Sequence, residues 1–353
     1  MENKKHVYKL PNLSANNVYI IAEAGVNHNG DLLLAKKLVD AALDAGADCV
    51  KFQTFVATSA VTVKAPKANY QLETTDRGES QLEMLKKLEL SYEEHHEISK
   101  YCKQKGIDYL STPYSLRDIL FLESIGVQAY KVASGQIVEP LFLDAVARTG
   151  KTIFLSTGMA TLGEVDEAVR IIRSAGNENI FLLQCTTNYP SNPEDANLRA
   201  ISTMAAAFGT TMGYSDHTRS DTACLVAIGL NARVIEKHLT LDKAMPGPDH
   251  SSSADPAEFA RLVRSIREAE LTLGTGRKEP CLAEVNNARG MRRSIVAARK
   301  IRAGEVISSD MLTCKRPGTG IKPAFLPEII GCIATRDIAE DELISWAMCG
   351  DRK

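Results

Sequence analysis

Several classes of protein are excluded by what this sequence lacks. No apolar run approaches the roughly 18 residues of a membrane-spanning helix, and the opening Met1, Glu2, Asn3, Lys4 and Lys5 lead into no signal-peptide core. Neither sign of charge dominates. The 42 Lys and Arg residues against 44 Asp and Glu leave a net charge of −2 and no reason to expect nucleic acid or an anionic membrane as a partner. The cysteines, scattered from Cys49 to Cys349, contain no Cys-x-x-Cys pair. They read as reduced, mostly buried thiols of a cytoplasmic protein, not as a zinc ribbon or a disulfide frame. There is no Walker loop, no Gly-x-Gly-x-x-Gly after a strand and no serine nucleophile elbow.

What is present is a rhythm. Val18–Ala24 is a continuous apolar run rich in β-branched residues, which suits a strand covered on both faces. Asp31 then caps a helix with Leu34, Leu38 and Ala42 on one face, ending at Gly46. Strand-like segments recur at Cys49–Phe55, Ile107–Thr112, Gln128–Ser134, Thr152–Thr157, Asn179–Cys185, Thr211–Ser215 and Arg233–His238. Amphipathic helices lie between them, several ended by glycine, as at Gly106, Gly126, Gly150 and Gly176. Eight βα units of this size predict an α/β fold, a (β/α)8 TIM barrel over residues 1–275. Asp255, Pro256 and Glu258 open the last barrel helix as a capping box. Residues 276–289, polar and without periodicity, read as a linker. Residues 290–353 change pattern to a compact β-rich module: a strand at Ser294–Ala298, a turn at Ile301–Glu305, a run Ile307–Leu312, and the same theme again from Ile330 to Trp346.

The polar residues gather at strand ends: Glu23, Lys51, Gln53, Thr112, Lys131, Ser134, Ser156, Thr157, Ser215, His217 and His238. In a parallel barrel those ends converge on one mouth, where active sites are built. A single serine or threonine there is more simply a helix cap. A glutamate and two lysines inside apolar strands are harder to explain structurally, since an unpaired buried charge costs several kcal/mol. His217 and His238, at the ends of consecutive units, suit a shared divalent metal or substrate site. Lys51 and Lys131 with the nearby hydroxyls suit a small polyanion such as a phosphorylated carboxylate, and Glu23 could act as general acid or base. Such a set points to carbon–carbon bond formation or metal-assisted hydrolysis.

Certain blocks carry a resemblance. They are Ala22 to Gly30 (Ala-Glu-Ala-Gly-Val-Asn-His-Asn-Gly), Val50-Lys-Phe-Gln-Thr54, Ser111-Thr-Pro113, Ser156-Thr-Gly-Met159, Gly213-Tyr-Ser-Asp-His-Thr218, Glu236-Lys-His238, Gly247-Pro-Asp-His250 and Lys315-Arg-Pro-Gly318. Together they closely resemble the sialic acid synthase family over almost the whole chain. The resemblance implies a C-terminal antifreeze-like (SAF) domain and a domain-swapped homodimer. The activity it implies condenses phosphoenolpyruvate with N-acetylmannosamine to give N-acetylneuraminate and phosphate. Its close rival takes 2,4-diacetamido-2,4,6-trideoxymannose to legionaminate, and the pseudaminate branch ranks third. Residue by residue, His217 and His238 would hold manganese, with magnesium or cobalt as alternatives. Lys51, Thr112, Lys131, Ser134, Ser156 and Ser215 would hold phosphoenolpyruvate, with Gln53 beside them. Glu23 would serve the proton or water chemistry, Tyr189 and Asp249 would contact the sugar, and Arg316 would reach its N-acetyl group in a partner subunit. The chain departs from the family at Ser134-Gly135-Gln136, where Ser-Gly-Glu is common; the neutral amide removes a carboxylate from the substrate end.

A metal-dependent barrel hydrolase would show His-x-His after the first strand, and only His28 stands there. A non-catalytic sugar-binding protein would leave the internal lysines and Glu23 without purpose. Val56–Ser91, too long for a βα loop, reads either as a lid or binding loop or as a solvated or interface insertion. Asn27 and His28 are expected to order the first loop, His250 to be structural, His95 and His96 to be exposed on a charged helix, and Trp346 to lie in the core of the small domain.

Overall fold

A computed structural model describes residue 10, residues 12–13 and residues 17–352. The described residues divide into two compact units that part between Gly274 and Thr275.

The first unit contains eight strands: β1 (Tyr19–Gly25), β2 (Cys49–Thr54), β3 (Asp108–Pro113), β4 (Ala129–Val132), β5 (Thr152–Ser156), β6 (Ile180–Cys185), β7 (Thr211–Asp216) and β8 (Val234–His238). They pair in parallel in the order β3-β2-β1-β8-β7-β6-β5-β4, with β3 packed beside β4, so the sheet curls into a nearly closed TIM barrel. The helices are α1 (Leu32–Asp44), three short ones after β2, namely α2 (Ala57–Ala60), α3 (Asn69–Thr74) and α4 (Gln81–Lys86), then α5 (Tyr92–Lys105), α6 (Leu116–Ser124), α7 (Pro140–Arg148), α8 (Leu162–Ser174), α9 (Arg199–Phe208), α10 (Thr222–Gly229) and α11 (Pro256–Leu273). The sequence signals for helix starts hold. Asp31 accepts hydrogen bonds from the Leu33 and Leu34 amides, and Asp255 and Glu258 close their capping box. The buried face of α1 is Ala35, Leu38, Val39 and Ala42; Leu34 is only half-buried.

Period-two alternation explains what fills the barrel. Going up each strand, alternate residues point inward. Tyr19, Ile21, Cys49, Leu110, Ala129, Phe154, Leu183 and Val234 form an apolar plug of their own. Two residues further along the same strands stand Glu23, Lys51, Thr112, Lys131, Ser156, Cys185 and Glu236. Register aligns this polar tier: Glu23 lies opposite both Lys51 and His238, Gln53 opposite Thr112, and Ser215 opposite Glu236. The outward residues, among them Ile20, Val50 and Tyr130, pack under the helices in the main core. Gly213 is required inside: a Cβ there would come within 2.9 Å of Val234.

The second unit holds α12 (Leu282–Met291), the antiparallel pair β9 (Ser294–Ala297) and β10 (Leu312–Lys315), the single turn α13 (Leu326–Ile329), and the pair β11 (Cys332–Ala334) and β12 (Cys349–Arg352). Its core is built from isoleucines, including Ile295, Ile301, Ile307, Ile338 and Ile344. A bridge between Ile301 and Ile338 joins the two similar stretches noted in the sequence.

Four expectations are corrected. Residues 276–289, read as a linker, include most of α12; none of its residues is buried, so it has no apolar stripe for periodicity to reveal. The run Ile307–Leu312 is not one strand: a 3-10 turn occupies Ser309–Met311 and pairing begins at Leu312. His95 is fully buried, sharing the inner face of α5 with Ile98 and Cys102 and meeting the Tyr109 hydroxyl at 3.1 Å. The charged neighbours of His95 hide that spacing. Trp346 is 52% exposed, edge-on to Phe325 with ring centroids 5.8 Å apart.

Candidate active site

All but Thr157 of the strand-end residues singled out in the sequence, with Tyr189 and Asp249, line one cavity of about 460 Å³ at the carboxyl ends of the strands. They comprise Glu23, Lys51 and Gln53; Thr112, Lys131 and Ser134; Ser156, Tyr189 and Ser215; and His217, His238 and Asp249. Arg316 lies in the second unit, where its Nε donates to the Met291 carbonyl at 3.2 Å. Thr157 is structural, its hydroxyl donating to the Leu183 carbonyl at 3.0 Å. Asn27 ties the first loop to Leu239 and Ser253, and His250 bridges Thr240 and Asn29, as a structural role requires.

On one side of the cavity, Lys51 Nζ stands 2.7 Å from Glu23 Oε2 and donates to Thr112 Oγ1 at 3.3 Å. Gln53 donates to the other oxygen of Glu23 at 3.1 Å and accepts from Tyr114 at 3.2 Å. Next to this group, Lys131 faces Glu236 at 3.5 Å, and Ser215 donates to Glu236 at 2.9 Å. The two carboxylates are driven apart. Burial raises the pKa of Glu23 against the opposing pull of Lys51. For Glu236 the same burial penalty is outweighed by Lys131 and Lys51, which bring it down to about 2. Glu236 is therefore a fixed charge and Glu23 the group that can exchange a proton. Lys51 is held above its ordinary value because Glu23 and Glu236 outweigh burial, whereas burial pulls Lys131 down.

The imidazoles occupy the β7–β8 side. The ring centroids of His217 and His238 are 5.4 Å apart. Two imidazoles binding one ion through nitrogens at about 2.1 Å have centroids at most roughly 6.5 Å apart, so the separation of these two lies within the range a shared ion requires. His217 Nδ1 lies 2.6 Å from the Thr186 carbonyl. A carbonyl only accepts, so Nδ1 carries the proton, and the neutral ring would offer the Nε2 lone pair to an ion, the arrangement metal-binding histidines usually show. Against burial, Cys185 and the Thr186 carbonyl hold the His217 pKa above its ordinary value, so an ion would have to displace a proton from Nε2. Burial and the neighbouring His217 push the His238 pKa well down, keeping that ring neutral and able to coordinate. Its Nδ1 is buried without a hydrogen-bond partner, with Asp249 the nearest carboxylate at 3.8 Å. Burial, reinforced by Glu23, raises Asp249 to about 6. Among the described residues no three His, Cys, Asp or Glu side chains gather around one ion-sized point. A metal here would complete its shell from substrate and water.

Other cavity residues escaped the sequence reading. Glu236 had a signal, since it sits two residues before His238 and so faces inward with it. Cys185 packs with Sγ 3.9 Å from His217 Nδ1. Tyr70, from α3, packs on Tyr189 at 4.9 Å, and Tyr189 in turn on His217 at 4.0 Å; nothing in the sequence announces this stack. Gln136 lines the cavity with both amide atoms buried and unpartnered, and Ser156 Oγ and Glu236 Oε2 are orphaned in the same way. Buried polar atoms without partners are rare because each costs a kcal/mol or more. Here they outline where a polar ligand would bond.

The sequence matches the NeuB family over residues 38–278 and the SAF domain over residues 292–348. The chain belongs to the NeuB family. It is 47% identical to the N,N'-diacetyllegionaminic acid synthase of Campylobacter jejuni, covering 92% of this chain and 98% of that one. Against the enzyme of the same name from Legionella pneumophila the identity is 43%, covering 95% and 96%. Among solved structures, the N-acetylneuraminic acid synthetase of Leptospira borgpetersenii, in complex with citrate, superposes with a TM-score of 0.68 at 34% identity, over 77% of this chain and 90% of that one. The second unit is the SAF domain of a family member, and the barrel is its NeuB domain.

Proposed function

We propose that this protein condenses phosphoenolpyruvate with 2,4-diacetamido-2,4,6-trideoxymannose, releasing phosphate and forming a diacetylated legionaminate. The observation that carries the reading is the meeting, in one cavity, of a two-lysine anion cradle with two imidazoles spaced within the range of a shared ion. The sugar differs from the N-acetylmannosamine that the sequence reading put first. The Campylobacter and Legionella relatives are both named for the diacetylated product, and Gln136 supplies a polar group that a second acetamido could use. Its unpaired amide offers one donor face and one acceptor atom, the complement of a second acetamido group.

Lys51, Lys131, Thr112, Ser134, Ser156 and Ser215 hold the phosphate and carboxylate of phosphoenolpyruvate, so its charge is stabilised before reaction begins. The methylene carbon attacks the aldehyde carbon of the open-chain sugar, the aldehyde oxygen takes the proton that Glu23 carries and becomes a hydroxyl, and the carbon bearing phosphate becomes electron-poor. Water adds there, Glu23 taking its proton, and phosphate leaves by carbon–oxygen cleavage. Glu236 stays ionised throughout and holds Lys131 and Ser215 in place. His217 and His238 would hold a divalent ion (manganese, magnesium or cobalt), which would supply Lewis acidity to the reaction. Tyr189 and Asp249 face the sugar. The reading extends to a cytoplasmic homodimer, checked by sedimentation, in which Arg316 binds an acetamido group.

The test is a sugar panel. With phosphoenolpyruvate and manganese, timed phosphate release should be faster for the diacetamido sugar than for N-acetylmannosamine, and chelation should stop it. No release with either sugar would overturn the reading, and a preference for N-acetylmannosamine would return the sugar to the first alternative.

A further inference from the structure

A group that moves protons must be held in place, and three side chains from consecutive strands form a line that ends on Glu23. The line climbs toward the mouth. Glu23 of β1 lies opposite Lys51, and Gln53 is the next inward residue on β2. Gln53 in turn lies opposite Thr112, and Tyr114 comes two residues later, just past the end of β3. Gly25 opens the space for the first contact. The pairing of β1 with β2 slips between Glu23 and Gly25, whose φ is +52°, and a Cβ there would come within 3.1 Å of Glu23 Oε1 and 3.3 Å of Gln53 Nε2.

The direction of the line follows from what each group can do. An ionised carboxylate only accepts, so the Gln53 amide turns its nitrogen to Glu23 Oε1, at 3.1 Å. Its oxygen then faces away and needs a donor, which Tyr114 Oη supplies at 3.2 Å. Burial raises the Tyr114 pKa to about 12, so this hydroxyl keeps its proton at neutral pH. Lys51 grips the other oxygen of Glu23 at 2.7 Å, but Lys51 also belongs to the anion cradle, so a bound ligand competes for it. The amide carries no net charge for an anion to draw away.

The Tyr114 ring is itself supported. It meets Phe55 edge-on with centroids 5.9 Å apart, against the small core where α2 and α4 pack on Val26 and Phe55. The segment between β2 and α5, open in the sequence between a binding loop and a solvated insertion, lines the cavity with Tyr70, Gln71 and Gln81 among others and also backs this ring. We propose that Tyr114 and Gln53 are positioning residues: the Tyr114 hydroxyl sets the Gln53 amide, and the amide holds the Glu23 carboxyl for its proton transfers. Gln53 thus serves Glu23 and not the phosphoenolpyruvate beside it. The proposal rests on the condensation reading above, in which Glu23 gives a proton to the aldehyde oxygen and takes one from water.

A double-mutant cycle tests it, with phosphate release followed over a range of both substrates in the presence of manganese. Tyr114→Phe removes the hydroxyl and leaves the ring on Phe55. It should lower kcat about tenfold, with the KM of each substrate within about twofold and Tm unchanged. Gln53→Met, similar in length, should lower kcat by a larger factor. Adding Tyr114→Phe to Gln53→Met should then cost less than about twofold, because the hydroxyl has lost the amide through which it acts. Should Gln53→Met melt early, Gln53→Leu closes the cycle in its place. An equal loss in both backgrounds overturns the proposal, since Tyr114 would then act directly on the ligand or on the fold. So does a raised KM with kcat intact in either single variant, or a Tyr114→Phe enzyme as fast as wild type. In each of these cases the wild type still releases phosphate and condensation stands. Absence of release by the wild type with every sugar, the diacetamido sugar included, overturns both.

Discussion

Glu236 and Lys237 are neighbours on β8 that face opposite ways, and their surroundings differ in kind. Lys237 points out of the barrel, donating to Asp216 at 2.6 Å and to the Thr218 carbonyl at 2.7 Å. Asp216 accepts in addition from Tyr214, the Thr218 amide and Cys224, so both of its oxygens are saturated. Glu236 points inward to Lys131 and Ser215, keeps one oxygen unpartnered, and shares its cavity with the orphaned Gln136, Ser156 and His238 atoms. Equal burial thus serves two ends. The saturated cluster fixes β7 to β8, and the unsaturated one is shaped for a guest that supplies the missing bonds.

The largest test of that contrast removes one lysine from each cluster. Lys131→Met should cut phosphate release by about a thousandfold, the usual scale for a lost charge-stabilising donor. Its Tm should fall less than in the Lys237 variant, since Glu236 keeps its hydrogen bond from Ser215 and the more distant charge of Lys51. Lys237→Met leaves Asp216 buried and charged without its ion-pair partner, which costs about 3–5 kcal/mol; its Tm should fall sharply while kcat of the folded enzyme stays within about tenfold of wild type. Similar losses of turnover in the two variants would break the distinction. So would similar losses of Tm.

These clusters also show how much was legible in the sequence. The strands, the helix cap at Asp31, the capping box at Asp255, and the inward Glu23, Lys51 and Lys131 were readable because cap residues, period-two alternation and charge in an apolar run are local signals. Glu236 obeyed the same alternation but was hidden beside Lys237, since two adjacent charges do not declare which one faces in. Gln136 looked only like a departure from its family; that its amide is left without partners is a fact of packing. The packing of α2 and α4 on Val26 and Phe55, the Tyr70 stack, the buried His95 and the exposed Trp346 all depend on contacts between distant segments, which composition and spacing do not encode.

Two further histidines sharpen the comparison from the side of stability. His28 and His95 are buried, each with Nε2 unpartnered. Burial first, then a neighbouring histidine, lowers His28 to about 4 and His95 to about 3. Against an unfolded value near 6.5, the unfolded chain binds more protons below neutrality. The stability these rings contribute is therefore complete above about pH 6.5 and is lost as pH falls toward 4 and then 3. Each should add a slope of about 1.36 kcal/mol per pH unit in that window. Urea titrations from pH 7 to 4 of the wild type and of His95→Leu should differ by one such slope. Parallel curves would mean that His95 carries a proton in the folded state.

The smallest expected effect concerns how closely the cradle is built. Gly158 lets its own amide reach Ser134 Oγ at 3.0 Å. A Cβ added there would come within 2.4 Å of Thr187 Oγ1 and 2.8 Å of Ser134 Oγ, while one added at nearby Gly135 meets nothing within 4 Å. Gly158→Ala should therefore displace Ser134 and raise the KM for phosphoenolpyruvate about tenfold, the cost of about one hydrogen bond to a charged ligand, with little change in Tm. Gly135→Ala should leave that KM unchanged. The pair separates a ligand-holding role for Ser134 from a merely structural one. If Gly158→Ala lowers Tm and spares the KM, Ser134 belongs with the saturated group around Asp216, and the boundary between the two kinds of polar cluster moves inward by one residue.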